Sequence, residues 1–253
     1  MQPYWRSSTS NPVTVSGDGM TSPAENVKLR YEESRIHRTI NTCLTSQFQN
    51  LRYTLARIVK ESRIIEVPPL SGLEEVDFPV VGRLEAFYTD GLRTLLSTIK
   101  GVDSMWEKTL RYPKHVEKIE LLKALGFFDQ GPILVEGVSV RPRALTARLL
   151  ERGLRRKDVG DILAMMVEVA GEKRRRGSVL KYCLLDRFDE KKKVSAMART
   201  TAYTASIIAQ KLAHGVVTQE GVVPPEMLGM DKALFNDILR QLGKRGVRVE
   251  QAA

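Results

Sequence analysis

Apolar and polar positions alternate sharply from Ile58 onward, and most of the elements can be read from that point. The run RIIEVP (63–68) alternates like a strand and stops at Pro68-Pro69, and RLEAFYT (83–89) reads as a second strand. Asp90 then stands where it can cap a helix over GLRTLLSTIK (91–100). After Pro113, Val116, Ile119, Leu122 and Leu125 recur every three residues before Gly126, which predicts a helix with proline at its start and glycine at its end. The same punctuation marks a helix from Pro142 to Gly153, with Leu145 and Leu149 on one face.

The β-rich runs ILAMMVEVA (162–170) and SVLKYCLLDRF (178–188) flank GEKRRRG and predict a hairpin, and DEKKK (189–193) turns into VSAMART (194–200) as the third strand of a meander. Helices over Thr201–His214 and Asp231–Leu242 close the chain, the second with Leu234, Phe235, Ile238, Leu239 and Leu242 on one apolar face. Hairpins grouped with helices set between them predict an α+β fold: a mixed or antiparallel sheet covered by helices. Upstream the pattern is weak. Residues 1–26 are rich in Ser, Thr, Gly and Pro and read as a flexible start, and Val27–Glu61 has sparse apolar positions compatible with a helix. The expected division is an atypical segment over 1–56 and a folded domain over 57–253.

Composition narrows the function. At 42% hydrophobic the chain can bury a core, its apolar runs are too short to span a membrane, and its first residues do not resemble a secretory signal, so a cytoplasmic setting is expected. Cys43 and Cys183 are far apart and His37, His115 and His214 are scattered, a pattern that predicts neither disulfide nor metal centre. The net charge of +10 is concentrated in residues 136–253, which hold 23 basic and 14 acidic side chains, around Arg152–Lys157, Lys173–Arg176 and Lys191–Lys193. Such clusters can bind phosphate backbones, but at expected turns and without interleaved aromatics they read better as solvated charge.

The most chemically loaded stretch is EKTLRYPKHVEK (107–118), expected at a helix start. Arg111 can hold a carboxylate bidentately, and Thr109 and Tyr112 can donate hydrogen bonds; a solvated helix entry with Tyr112 packed beneath is the plainer alternative. Arg199, Thr200, Thr201 and Tyr203 in MARTTAYT form a second polar knot. Gly17-Asp18-Gly19 is the nearest approach to a dinucleotide-binding turn, but Ser22 and Pro23 break the pattern.

The ordered motifs EVPPLSGLEEVDFP, LEAFYTDGL, TLRYPKH with LLKALGFF, LLDRFDE with VSAMARTTAYTA, and GVVPPEMLG resemble the C-terminal domain of the saccharopine dehydrogenase and lysine 6-dehydrogenase family over about residues 57–249. The resemblance implies an NAD- or NADP-dependent oxidoreductase of lysine metabolism acting at the CH–NH bond of an amino acid such as lysine or saccharopine. It implies an α+β domain that binds substrate and dimerises, beside a Rossmann domain that holds the cofactor. Residues 1–56 do not match that glycine-rich βαβ domain, so the chain is expected to be a fragment or half of a split enzyme, to need a separate Rossmann-domain subunit and not to bind NAD or NADP alone.

By the same resemblance Thr109, Arg111, Asp90 and Tyr112 are substrate-binding candidates, and Thr200, Thr201 and Tyr203 face the cofactor in a complete enzyme. Thr89-Asp90-Gly91 stands where saccharopine-forming members carry Arg-Asp-Ser, which leans toward a lysine dehydrogenase-like substrate. The alternative function is a non-enzymatic basic module that binds an acidic partner or nucleic acid.

Overall fold

A computed structural model describes residues 26–28, 55–78, 80–154, 160–173 and 176–252. The expectations for residues 1–25, for the helix over most of 27–61, for Gly17-Asp18-Gly19, and for Arg155, Arg156, Lys157, Arg174 and Arg175 lie outside them.

The long hairpin is the centre of the molecule. Strands β10 (Ile162–Lys173) and β11 (Arg176–Arg187) pair antiparallel along their whole length, from Ile162 opposite Arg187 to Lys173 opposite Arg176. Its apolar runs are nearly continuous because both faces are covered. Ala164, Met166 and Cys183 face a small sheet and form one core with Val76, Phe78, Leu84, Ala86 and Leu110. The alternate residues Leu163 and Leu184 face two helices and pack with Ala196, Ile207, Leu242 and Val247. The described architecture is therefore α+β in three layers: small sheet, hairpin, helices.

The hairpin belongs to a seven-stranded sheet. Its outer neighbour is β12 (Val249–Ala252), paired antiparallel with β11; on its inner side run β1 (Asn26–Lys28), β6 (Met105–Trp106), β2 (Ala56–Lys60) and β3 (Arg63–Val67). The small sheet has the order β4 (Glu74–Phe78), β5 (Gly82–Tyr88), β7 (Lys108–Arg111) and is antiparallel throughout. The strands expected at RIIEVP and RLEAFYT are present as β3 and β5. The turn joining β2 to β3 places Glu61 and Ser62 at φ 51° and 60°, a turn their residue types do not advertise.

Several expectations are corrected. VSAMART is not a strand: Ser195 caps the amide of Ala198, and helix α4 runs over Ala196–Ala213, five residues ahead of the expected start at Thr201. The place of the third meander strand is taken by β12 from the far end of the chain. The helix over 91–100 shrinks to α1 (Leu95–Thr98), because Asp90 is engaged by Arg57 instead of capping, and Arg93 at φ 49° interrupts the helical backbone. EKTLRYPK does not open a helix. Residues 108–111 form β7, and α2 (His115–Ala124) begins after it.

Helix α3 (Pro142–Leu154) lies where it was expected, but Leu145 and Leu149 are about half exposed and Thr146 is its buried residue, donating to the Phe127 carbonyl at 2.9 Å. Between α2 and α3 an unanticipated hairpin joins β8 (Ile133–Val135) to β9 (Val138–Val140). The short α5 (Pro225–Gly229) precedes α6 (Lys232–Lys244), which starts on the Asp231 side chain as read and buries Leu234 and Leu242. Phe235, assigned to its inward face, is 38% exposed.

Candidate functional site

The site grows from strand periodicity. On β7, Lys108 and Leu110 are buried toward the hairpin while Thr109 and Arg111 are half-buried on the opposite face. Tyr112 packs against the core under the small sheet with Val81 and Leu185, which separates it from Thr109 and Arg111; burial raises its hydroxyl above the usual range. Register places Phe87 of β5 opposite Thr109, and Glu85 opposite Arg111. The outer face of the small sheet thus gathers Glu85, Phe87, Thr89, Glu107, Thr109 and Arg111.

Glu107 is 4% exposed and is the unusual group here. One carboxylate oxygen accepts the Thr89 hydroxyl, the other accepts the Thr109 hydroxyl at 3.4 Å, and the two hydroxyl oxygens lie 2.7 Å apart. The Gly91 amide also donates to it. Burial pushes the Glu107 carboxyl up to about 7, against the opposing pull of these donors and of the Arg111 charge. Gly91 is required for this arrangement, since a Cβ there would come within 2.5 Å of the Glu107 carboxylate. Gly91 is therefore matched to Glu107: any side chain there would displace the acid.

Arg111 donates to the Leu110 carbonyl at 2.7 Å, and its charge acts on both Glu107 and His115. His115 lies parallel to the Phe87 ring, with centroids 6.1 Å apart. Burial, followed by the Arg111 charge, lowers His115 to about 4, so its imidazole is neutral at pH 7. Glu85 caps α2 from outside the helix, accepting the amides of Lys114 at 2.5 Å, His115 at 3.1 Å and Val116 at 3.3 Å. Its charge therefore already occupies the positive end of the helix dipole.

Asp90 is held away from this face. Arg57 grips it with two parallel bonds of 3.0 Å and its own amide at 3.3 Å, and Arg93 adds a contact of 3.3 Å. The Arg57 hydrogen bond lowers the Asp90 carboxyl below its usual range. The second expected cluster lies elsewhere. Thr200 and Thr201 donate to the carbonyls of Ala196 and Met197 within α4, and Tyr203 packs into the helix-side core. The structure therefore puts the hairpin between Thr200, Thr201 and Tyr203 on one side and the small sheet carrying Thr109 and Arg111 on the other. Arg199 is buried beside Asp186 and Asp189, both 3.6 Å away, and donates to the Arg187 and Arg245 carbonyls.

Glu107 and Glu85 are not among the residues the sequence points to, and Thr89 stands out there only as part of Thr89-Asp90-Gly91. The signal lay in the spacing 107, 109, 111, which becomes one face only when the stretch is read as a strand. Among the described residues no group of three His, Cys, Asp or Glu side chains could hold a metal ion. Nor do these residues fit a dinucleotide. The glycines at which a Cβ would be crowded, Gly72, Gly91, Gly126, Gly160 and Gly246, are crowded by the chain's own side chains, and the one of them between a strand and a helix, Gly91, faces the Glu107 carboxylate instead of an open pyrophosphate cradle.

The family model of the saccharopine dehydrogenase C-terminal domain matches residues 49–247, and the chain belongs to that family. Among solved structures it is similar to apo histidine-tagged saccharopine dehydrogenase (L-Glu forming) from Saccharomyces cerevisiae, at 15% identity and a TM-score of 0.67, over 91% of this chain and 68% of that one. The shared fold is the α+β arrangement described above.

Proposed function

We propose that this chain is the amino-acid-binding domain of an NAD(P)-dependent oxidoreductase acting at a CH–NH bond, with lysine or a saccharopine-like amino acid as substrate. The observation that carries this reading is the placement of Thr109 and Arg111 side by side on one face of β7, within the TLRY stretch that resembles the family. In this reading Arg111 holds the substrate carboxylate, Thr109 bonds the neighbouring polar group, and neutral His115 with Phe87 walls the site without adding charge.

A nicotinamide nucleotide, when bound, supplies hydride transfer. Because the described residues do not fit it, the proposal assigns it to a separate Rossmann body, and this chain contributes binding and orientation. The test has two parts. The chain should show no calorimetric binding of NAD or NADP alone, and joining it to a Rossmann-type partner, in trans or by fusion, should produce nucleotide-dependent oxidation of L-lysine or saccharopine. Micromolar nucleotide binding to the chain alone contradicts the division of labour, and a correctly assembled pair that turns over neither amino acid contradicts the assignment.

A further inference from the structure

We infer that Glu107 is a positioning residue that accepts the proton of a substrate amine through the Thr109 and Thr89 hydroxyls and sets whether Thr109 presents an acceptor or a donor to the ligand. The inference rests on the proposed amino-acid function and adds a route for the proton. The single Thr109 proton goes to Thr89, 2.7 Å away, rather than to Glu107 at 3.4 Å, and the Thr89 proton goes to the Glu107 carboxylate, which makes a chain from the interior to half-exposed Thr109.

With Glu107 ionised, both hydroxyls point their protons inward, and the outward lone pair of Thr109 accepts from an ammonium. Transfer breaks one N–H bond and forms an O–H bond at Thr109, whose own proton passes to Thr89, whose proton passes to Glu107. The amine is left neutral with its electron pair, Glu107 is protonated, and every hydroxyl has reversed direction. Thr109 then donates outward. A structural role for Glu107 needs no hydroxyl-to-hydroxyl contact, and Gly91 makes room for the acid at the inner end of the chain.

Charged groups surround it on several elements. Arg111 is on its own segment, Glu85 on β5, His115 on α2, and Asp90 with Arg57 and Arg93 beyond Gly91, while Lys108 turns to the opposite face, to the Gly72 carbonyl and Glu74. Of these, His115 titrates at about 4 and Asp90 below the usual carboxylate range, whereas Glu107 titrates at about 7.

The test is carboxyl-carbon NMR of the full chain labelled at glutamate, with Glu107→Gln identifying the resonance, beside calorimetry of L-lysine at pH 6 and pH 8. The Glu107 midpoint should lie near neutrality, rise in Thr89→Val, which removes a donor to the carboxylate, and return in Thr89→Ser. L-Lysine should bind about tenfold more weakly at the lower pH in the wild type, the loss of one charge-assisted hydrogen bond, and equally at both in Glu107→Gln and Thr89→Val. A midpoint in the ordinary carboxylate range, or one that Thr89→Val leaves in place, overturns the inference. Lysine binding whose pH dependence survives in Thr89→Val overturns it as well, leaving the amino-acid function standing. Lysine binding at no pH, with the titration as expected, overturns the amino-acid function and with it the amine as proton donor.

Discussion

At the residue scale, Glu107 carries a stability consequence whose sign is fixed by its environment. Burial raises its carboxyl to about 7 in the fold, against 4.5 for an unperturbed glutamate. The folded state therefore holds the proton more tightly, so the fold loses stability as pH rises between these values and bears the whole cost above the folded pKa. The difference amounts to about 3 kcal/mol. Urea denaturation of the wild type should show this decline between pH 4.5 and pH 8, relative to a Glu107→Gln chain that lacks it; parallel curves would show Glu107 to be an ordinary acid. Gly72 gives a second residue-scale expectation. It sits at φ +64° with the Tyr88 ring packed where a Cβ would stand, so Gly72→Ala should cost about 1–3 kcal/mol in a denaturation midpoint.

Individual chemistry at this scale was partly legible. Thr109 and Arg111 stood out as residue types suited to a carboxylate ligand, whereas Glu107 looked like one more charge in a charged stretch. Its character comes from Thr89 and Gly91, which arrive from the loop after β5 and which local sequence does not place beside it.

At the element scale, two carboxylates hold helices from a distance. Glu85 caps α2, and Asp161, itself buried, accepts the amides of Ala196 at 2.6 Å and Met197 at 2.9 Å at the head of α4. Removing such a buried acceptor leaves amides without partners, so Asp161→Ala should destabilise by about 2 kcal/mol or more, while Glu85→Ala, at a half-buried position, should cost about 1 kcal/mol. Denaturant midpoints measure both, and equal effects would contradict the difference in burial.

These caps also explain which elements were legible. The hairpin β10–β11 and helix α6 announce themselves through long apolar patterns and a local Asp231 cap. The start of α4 depends on Asp161, more than thirty residues upstream, and its short apolar run alternates well enough to pass for a strand. β7 is not legible as a strand because Pro113 marks a helix just beyond it and its four residues are too few to show their period clearly.

At the scale of the whole molecule, the layers decide what the charge and the apolar surface can do. In DEKKK, the amides of Lys191 and Lys192 bond the Asp189 carboxylate, and Lys193 pairs with Glu190, leaving the lysines exposed at a turn. Changing the three lysines to Ser should shift stability by less than about 0.5 kcal/mol. A salt-sensitive association with nucleic acid lost in that variant would instead favour the alternative of a basic binding module. No helix among the described residues is long and apolar enough to cross a membrane.

The central claim is that the outer face of the small sheet holds an amino acid by its carboxylate, and Arg111 tests it most directly. Arg111→Ala should keep the wild-type unfolding midpoint and bind L-lysine or saccharopine about ten- to a hundredfold more weakly, the worth of a bidentate charged hydrogen bond, with Arg111→Lys between the two. Measured by calorimetry on the chain joined to a Rossmann-type partner, a folded Arg111→Ala variant that binds both amino acids as the wild type does would contradict the account.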